Sequence, residues 1–232
     1  MGDELFMRVS EFQRRYGGAG RPSSSRSGAT ELSALNPSLV QDLQRFDRSH
    51  TPGAGLDMLE VLAAALRHNR ALLLHLRLDD KVIPLTLWPL ERQVQSPLRL
   101  QQLLALHLPE LRVLMVEPAD SRERAETDSQ PLWREPLGPL LWELALRGAR
   151  DALLPEIGGV AAYRVSPGAD LQVLDLTGSL AAAVLRLRRQ TTSLREIADW
   201  PGFDRERAMR MLNGLYLQAA LMISRSHPAA IG

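Results

Sequence analysis

Apolar residues recur along this chain at two different spacings, and the change from one to the other marks out its elements. From Gly55 onward, Leu56, Leu59, Leu62, Ala63 and Leu66 return every three or four residues, which predicts a helix closing at Asn69. Two apolar runs, 71–78 and 82–88, then flank Asp79-Asp80-Lys81, the pattern of a β-hairpin. Pro84 has no N–H to give to a ladder, so its strand is expected at a sheet edge or with a bulge at this point. Ser96-Pro97 supplies a cap and a first-turn proline for a helix carrying Leu100, Leu103, Leu104 and Leu108, and 111–116 returns as a strand. A hairpin, a crossover helix and a further strand predict a mixed sheet with a helix packed on it.

The flanks are more polar. Phe6, Val9 and Phe12 make one face of a short helix ending before Gly17-Gly18, and Gly, Ser and Pro then dominate a stretch too poor in apolar residues to offset the entropy of ordering. Asn36-Pro37-Ser38 opens another short helix with Leu39, Leu43 and Phe46 as its docking face. Arg8, Arg14, Arg15, Arg21 and Arg26 face only Glu11, as a basic arm for an acidic partner or as a solvated tail. The run ADSRERAETDSQ (119–130) has no apolar period and reads as a loop or linker. Helical spacing resumes over 137–154 through Leu140, Leu141, Leu144 and Ala145, with Gly148 as a weak point. Residues 158–165 and 171–174 read as strands about the turn Ser166-Pro167-Gly168-Ala169.

From Asp175 the pattern sharpens. Thr177 or Ser179 caps a helix to about Arg189 with the stripe Leu180, Ala183, Val184 and Leu187. Ser193 and Glu196 form a capping box before a short helix that Pro201-Gly202 stops. Asp204 caps a third helix, in which Ala208, Met211, Leu212, Leu215 and Ala219 share one face while Glu206, Arg210 and Asn213 share the other. A short strand at Leu221, Met222 and Ile223 follows. Leu194, Ile197 and Ala198, the turn Pro201-Gly202-Phe203, and Leu212, Leu215-Tyr216 and Ala220-Leu221 resemble the small winged-helix domains that close many bacterial regulatory proteins. The resemblance covers about the last quarter of the chain and rests on packing positions, so it speaks to fold first. With it, the reading is an α+β protein: an arm at 1–54, a mixed α/β sheet domain at 55–165 and a winged-helix-like helical domain at 166–232.

Composition narrows the function. Charge is balanced, 28 basic against 27 acidic residues, so a nucleic-acid partner is neither required nor excluded. There is no cysteine, hence no disulfide, thiolate metal site or cysteine nucleophile. The N-terminus lacks a basic leader with an apolar core, and no run nears the length of a membrane helix; a cytoplasmic protein is expected. The five histidines show no metal-binding spacing and read as core or surface residues. The glycine pairs do not make a phosphate or dinucleotide loop, and no GxSxG motif is present. No catalytic residue, metal or cofactor is expected.

Two functional readings remain. The favoured one is a non-enzymatic regulatory or adaptor protein using the winged-helix-like module for protein contact or self-association. The alternative is a DNA-binding regulator with the helix from Asp204 as recognition helix, supported by eight arginines against five acids in 175–232. The candidate partner-binding residues are Arg207, Arg210, Asn213 and Leu217. Leu217 falls on the outward face of the third helix, where it contacts another domain or chain or else packs under the final strand.

Overall fold

The computed structural model describes residues 6–16, 37–38, 41, 57–119 and 132–230. The expected linker with Arg21 and Arg26, the docking residues Leu39, Leu43 and Phe46, and nearly all of the charged stretch 119–130 lie outside them. The chain is mixed α+β with antiparallel sheets and divides into two units, 1–137 and 138–232.

In the first unit a two-residue strand β1 (Met7–Arg8) leads into α1 (Val9–Tyr16). After α2 (Met58–His68) come β2 (Leu72–Leu78), β3 (Lys81–Trp88) and β4 (Gln93–Ser96). A five-residue helix α3 (Leu100–Leu104), β5 (Arg112–Pro118) and β6 (Trp133–Pro136) complete it. The ends of α2 are set locally. The Asp57 carboxylate accepts from the Leu59 N–H at 2.9 Å, and Asn69 closes the helix in the left-handed region at φ 51°.

The sheet runs β5-β2-β3-β4-β6, with β1 also on β3. Its main core rests on cross-strand pairs of one face: Leu72 opposite Leu87, Leu74 opposite Leu85, and Leu76 opposite Ile83, all buried. Every pairing is antiparallel, which corrects the expectation of a mixed sheet. The reason is β4, which the apolar pattern does not announce. It turns the chain once more before α3, so β5 comes back antiparallel to β2. The Pro84 strand is not at the end of the sheet, because β2 covers one side of it completely. On its other side β1 takes residues 81–82 and β4 takes 86–88. Pro84 sits between the two, where no described strand asks for an N–H. The bulge lies elsewhere, in the β2–β5 ladder between His75 and Leu76.

The second unit opens with α4 (Leu137–Arg147) and continues through β7 (Ala162–Val165) to α5 (Gly178–Arg189). It closes with β8 (Thr192–Ser193), the short α6 (Leu194–Ala198), α7 (Arg205–Leu217) and β9 (Leu221–Ser224). Its sheet is β8-β7-β9, antiparallel throughout. The expected hairpin about Ser166–Ala169 does not form. The partner of β7 is β9, and 171–174 is turn structure anchored by buried Leu171 and Leu174. The domain boundary accordingly falls between Leu137 and Gly138, not at 165, because α4 and β7 pair and pack with the C-terminal helices.

Three caps differ in detail. Asp204 Oδ1 accepts from the Arg207 N–H at 2.7 Å, as expected, but only half of the expected capping box forms at Ser193: its Oγ accepts from the Glu196 N–H at 3.3 Å, while the Glu196 carboxylate accepts from Arg186 and Gln190 instead. Thr177 stands at the N-cap of α5 without a side-chain bond. Between α6 and α7, Gly202 has φ +78°, and a Cβ there would come within 3.0 Å of Ser179 Cβ, so the turn requires glycine.

α7 is the centre of this unit. Ala208, Met211, Leu212 and Leu215 are completely buried on one side of it, as is Ile197 of α6. On the other side Gly214 meets α4: a Cβ at Gly214 would lie 2.6 Å from Trp142 Cε3. Gly214→Ala should therefore cost about 1–3 kcal/mol by overpacking, despite alanine's better helix propensity, and urea denaturation will show a midpoint shift in that direction.

A pH effect follows from β7. Tyr163 is buried and donates its hydroxyl to the Ile157 carbonyl at 2.7 Å. Burial pushes its phenol above the ordinary 10.0, against the opposing pull of Arg225. A raised folded pKa gives a stabilisation complete below the unfolded phenol's pKa and lost as pH rises beyond it. Stability should decline above about pH 10, and Tyr163→Phe should remove that component of a denaturation series across pH.

Candidate interaction surface

The residues proposed for partner contact are placed very differently from one another. Arg207 is exposed on the first turn of α7, its guanidinium 5.5 Å from the centre of the Phe203 ring. Arg210 is only 17 % exposed: Nε donates to Glu206 at 2.8 Å, and Nη1 donates to the carbonyls of Leu146 and Gly148 at 3.2 and 2.8 Å. It caps the end of α4, where a cation meets the negative pole of the helix and its unpaired carbonyls. Asn213 is 1 % exposed; its Oδ1 accepts from the Leu154 N–H and its Nδ2 donates to the Ala152 carbonyl, both at 2.9 Å. Leu217 is 2 % exposed.

Arg210, Asn213 and Leu217 are thus corrected as partner contacts; they belong to a second interior face of α7. With Gly214 and Gln218, whose Nε2 donates to the Gly138 carbonyl at 2.8 Å, they recur at i, i+3, i+4, i+7 and i+8. That stripe lies roughly opposite the apolar one at 100° per residue. The polar members escaped the sequence reading because each meets backbone groups of 138–154, far away in the chain. Gly214 in mid-helix beside an off-stripe Leu217 was the available signal.

One open surface of this unit lies along α5. An open groove of 670 Å³ runs between α5 and residues 167–176, lined by Leu171, Leu176, Ala181, Val184 and Leu185. Leu185 is 57 % exposed, an apolar side chain off the buried stripe of its helix. Arg188, one turn further, also lines the groove, and its Nη2 donates to the Ala169 carbonyl at 2.8 Å. Asp170 faces the groove too, its Oδ1 accepting from the Gln172 N–H at 3.0 Å.

In the first unit, the histidines are not all isolated. His75 Nε2 lies 2.8 Å from Glu117 Oε2 across the bulged β2–β5 ladder. The Phe12 and Tyr16 rings pack 5.1 and 5.9 Å from the imidazole. With Val9, Phe12 and Val82 buried together, this pair belongs to the seat of α1 on the sheet. No helix among the described residues is long and apolar enough to cross a membrane.

Compared with protein-family models, curated proteins and solved structures, the chain matches none.

Asn213→Ala should strand the buried Leu154 N–H at about 1–3 kcal/mol, while the Ala152 carbonyl keeps its bond from Arg150 Nε at 2.8 Å. Leu217→Glu should destabilise by about 4 kcal/mol or more, since it buries a charge. Both losses are expected in urea denaturation of the isolated full-length chain with no partner present, which separates interior from interface residues.

Proposed function

We propose that this chain is a non-enzymatic regulatory or adaptor protein whose C-terminal unit, a winged-helix-like module, works by contact with another protein. The observation that carries the reading is the double burial of α7. The element in the place of a recognition helix has Asn213 and Gly214 turned onto residues 138–154 and Leu212 onto the opposite core. A helix reads base edges only with a free side-chain face in the major groove, and beyond its first turn α7 offers no such face. The exposed apolar side chains Leu185, Val173 and Met222 lie elsewhere on the same unit and suit a protein partner. Order of elements favours the winged-helix comparison, with the difference that β7, which precedes the three helices, sits between β8 and β9.

The duplex-binding alternative retains Arg205 and Arg207, both exposed on the first turn of α7. Fluorescence anisotropy on duplex DNA separates the readings. Binding should stay within the non-specific range, about 10⁻⁴–10⁻⁶ M at physiological salt, with Arg207→Ala changing it little. Tight, sequence-dependent binding whose salt slope falls by about one in Arg207→Ala would overturn the proposal.

A further inference from the structure

We infer that the groove along α5 is the docking site, and that its occupant is a short apolar, acid-bearing segment of a partner protein. This rests on the protein-contact reading above and adds where the contact is made and with what chemistry. The floor, formed by Leu171, Leu176, Ala181 and Val184, with Leu185 standing beside it, takes apolar side chains. The charge at its C-terminal end selects the rest. Arg188 spends its donors on the neutral carbonyls of Pro167 and Ala169, and Arg164 donates to the Arg188 carbonyl at 3.4 Å. Among the described residues neither guanidinium meets a carboxylate, and Arg189 beside them is exposed. Arg186 is the one arginine of this helix that is matched, by Glu196 at 3.5 Å. Asp170 and Arg188 are the charged residues that line the groove, and Arg164, which bonds the Arg188 carbonyl, and Arg189, next in the chain, bring two further cations to that end. A carboxylate on the incoming segment complements that excess, and one on a basic segment's site would not.

The same charges argue against a second copy of this chain as occupant. α5 reads GSLAAAVLRLRR and has no acidic residue, so two copies meeting helix to helix would bring three arginines each and no carboxylate from that helix. The acid has to come from a different surface.

The test uses the full chain and a phage-displayed library of random twelve-residue peptides, with synthetic versions of enriched sequences titrated by fluorescence anisotropy. Enriched peptides should combine apolar residues with Asp or Glu. Their affinity should fall at least about tenfold for Leu185→Asp and, separately, when the peptide's acid is replaced by its amide. Leu185→Ala should give a smaller loss in the same direction. Because Leu185 is exposed, urea midpoints of both variants should equal that of the parent, so a loss of binding is not a loss of fold. Basic peptides, or peptides indifferent to Leu185→Asp, would overturn the groove assignment while leaving a protein-contact role standing. A dimer that Leu185→Asp converts to monomer, with no peptide enriched, would overturn it in favour of self-association. Tight duplex binding with no peptide enriched would overturn both proposals.

Discussion

The close approach of α4 to α7 at Gly214 is the contact on which the C-terminal unit depends. With hydrogen in place of a side chain, the Trp142 ring reaches the helix backbone, and the two axes come near enough for polar groups along α7 to meet backbone groups of 138–154. Gln218 and Arg210 then satisfy the Gly138 and Gly148 carbonyls, and Asn213 the Leu154 N–H, which burial would otherwise leave unpaired. Such groups are costly when stranded, so the arrangement is specific: a shift of one residue along α7 would break every one of these bonds at once. α7 becomes the middle layer of the unit, with Leu212 facing one way and Gly214 the other.

That placement changes what the unit can offer to a partner. A three-helix unit with a terminal strand is usually read by its last long helix, but here that helix is spent on internal packing past its first turn. A surface with accessible apolar area lies along α5 and residues 167–176, with Arg188 and Asp170 as the charged residues of its lining. Arg188 shapes the wall of the groove by holding the Pro167 and Ala169 carbonyls, and among the described residues its guanidinium meets no carboxylate.

The first unit follows a simpler constraint, the alternation of side chains across a paired sheet. Leu72, Leu74 and Leu76 face Leu87, Leu85 and Ile83, so one face is continuously apolar. The opposite face carries Val82 and His75 and is where Val9, Phe12 and Tyr16 of α1 lie. β1 and β4 share one side of β3, which leaves Pro84 where its missing N–H costs no ladder bond.

Local pattern determined most of the elements. Helical spacing placed α2, α5, α6 and α7, and local groups fix the ends of three of them, because Asp57, Ser193 and Asp204 bond within their own first turns and Asn69 ends its helix by its own backbone conformation. The hairpin of β2 and β3 was legible from two apolar runs about a polar turn, and the burial of Leu212 and Ile197 from helical spacing. Only the tertiary structure decided the rest. β4 and β6 are short strands without an apolar run, defined by each other's hydrogen bonds. The strand expected at 171–174 gave way because β7 found β9, a partner more than fifty residues distant. Asn213 and Arg210 look like surface residues to any local rule, since polarity alone cannot tell water from a backbone carbonyl sixty residues away. Leu185 is the converse case: its hydrophobicity is written in the sequence, but its exposure is set by what the fold leaves uncovered.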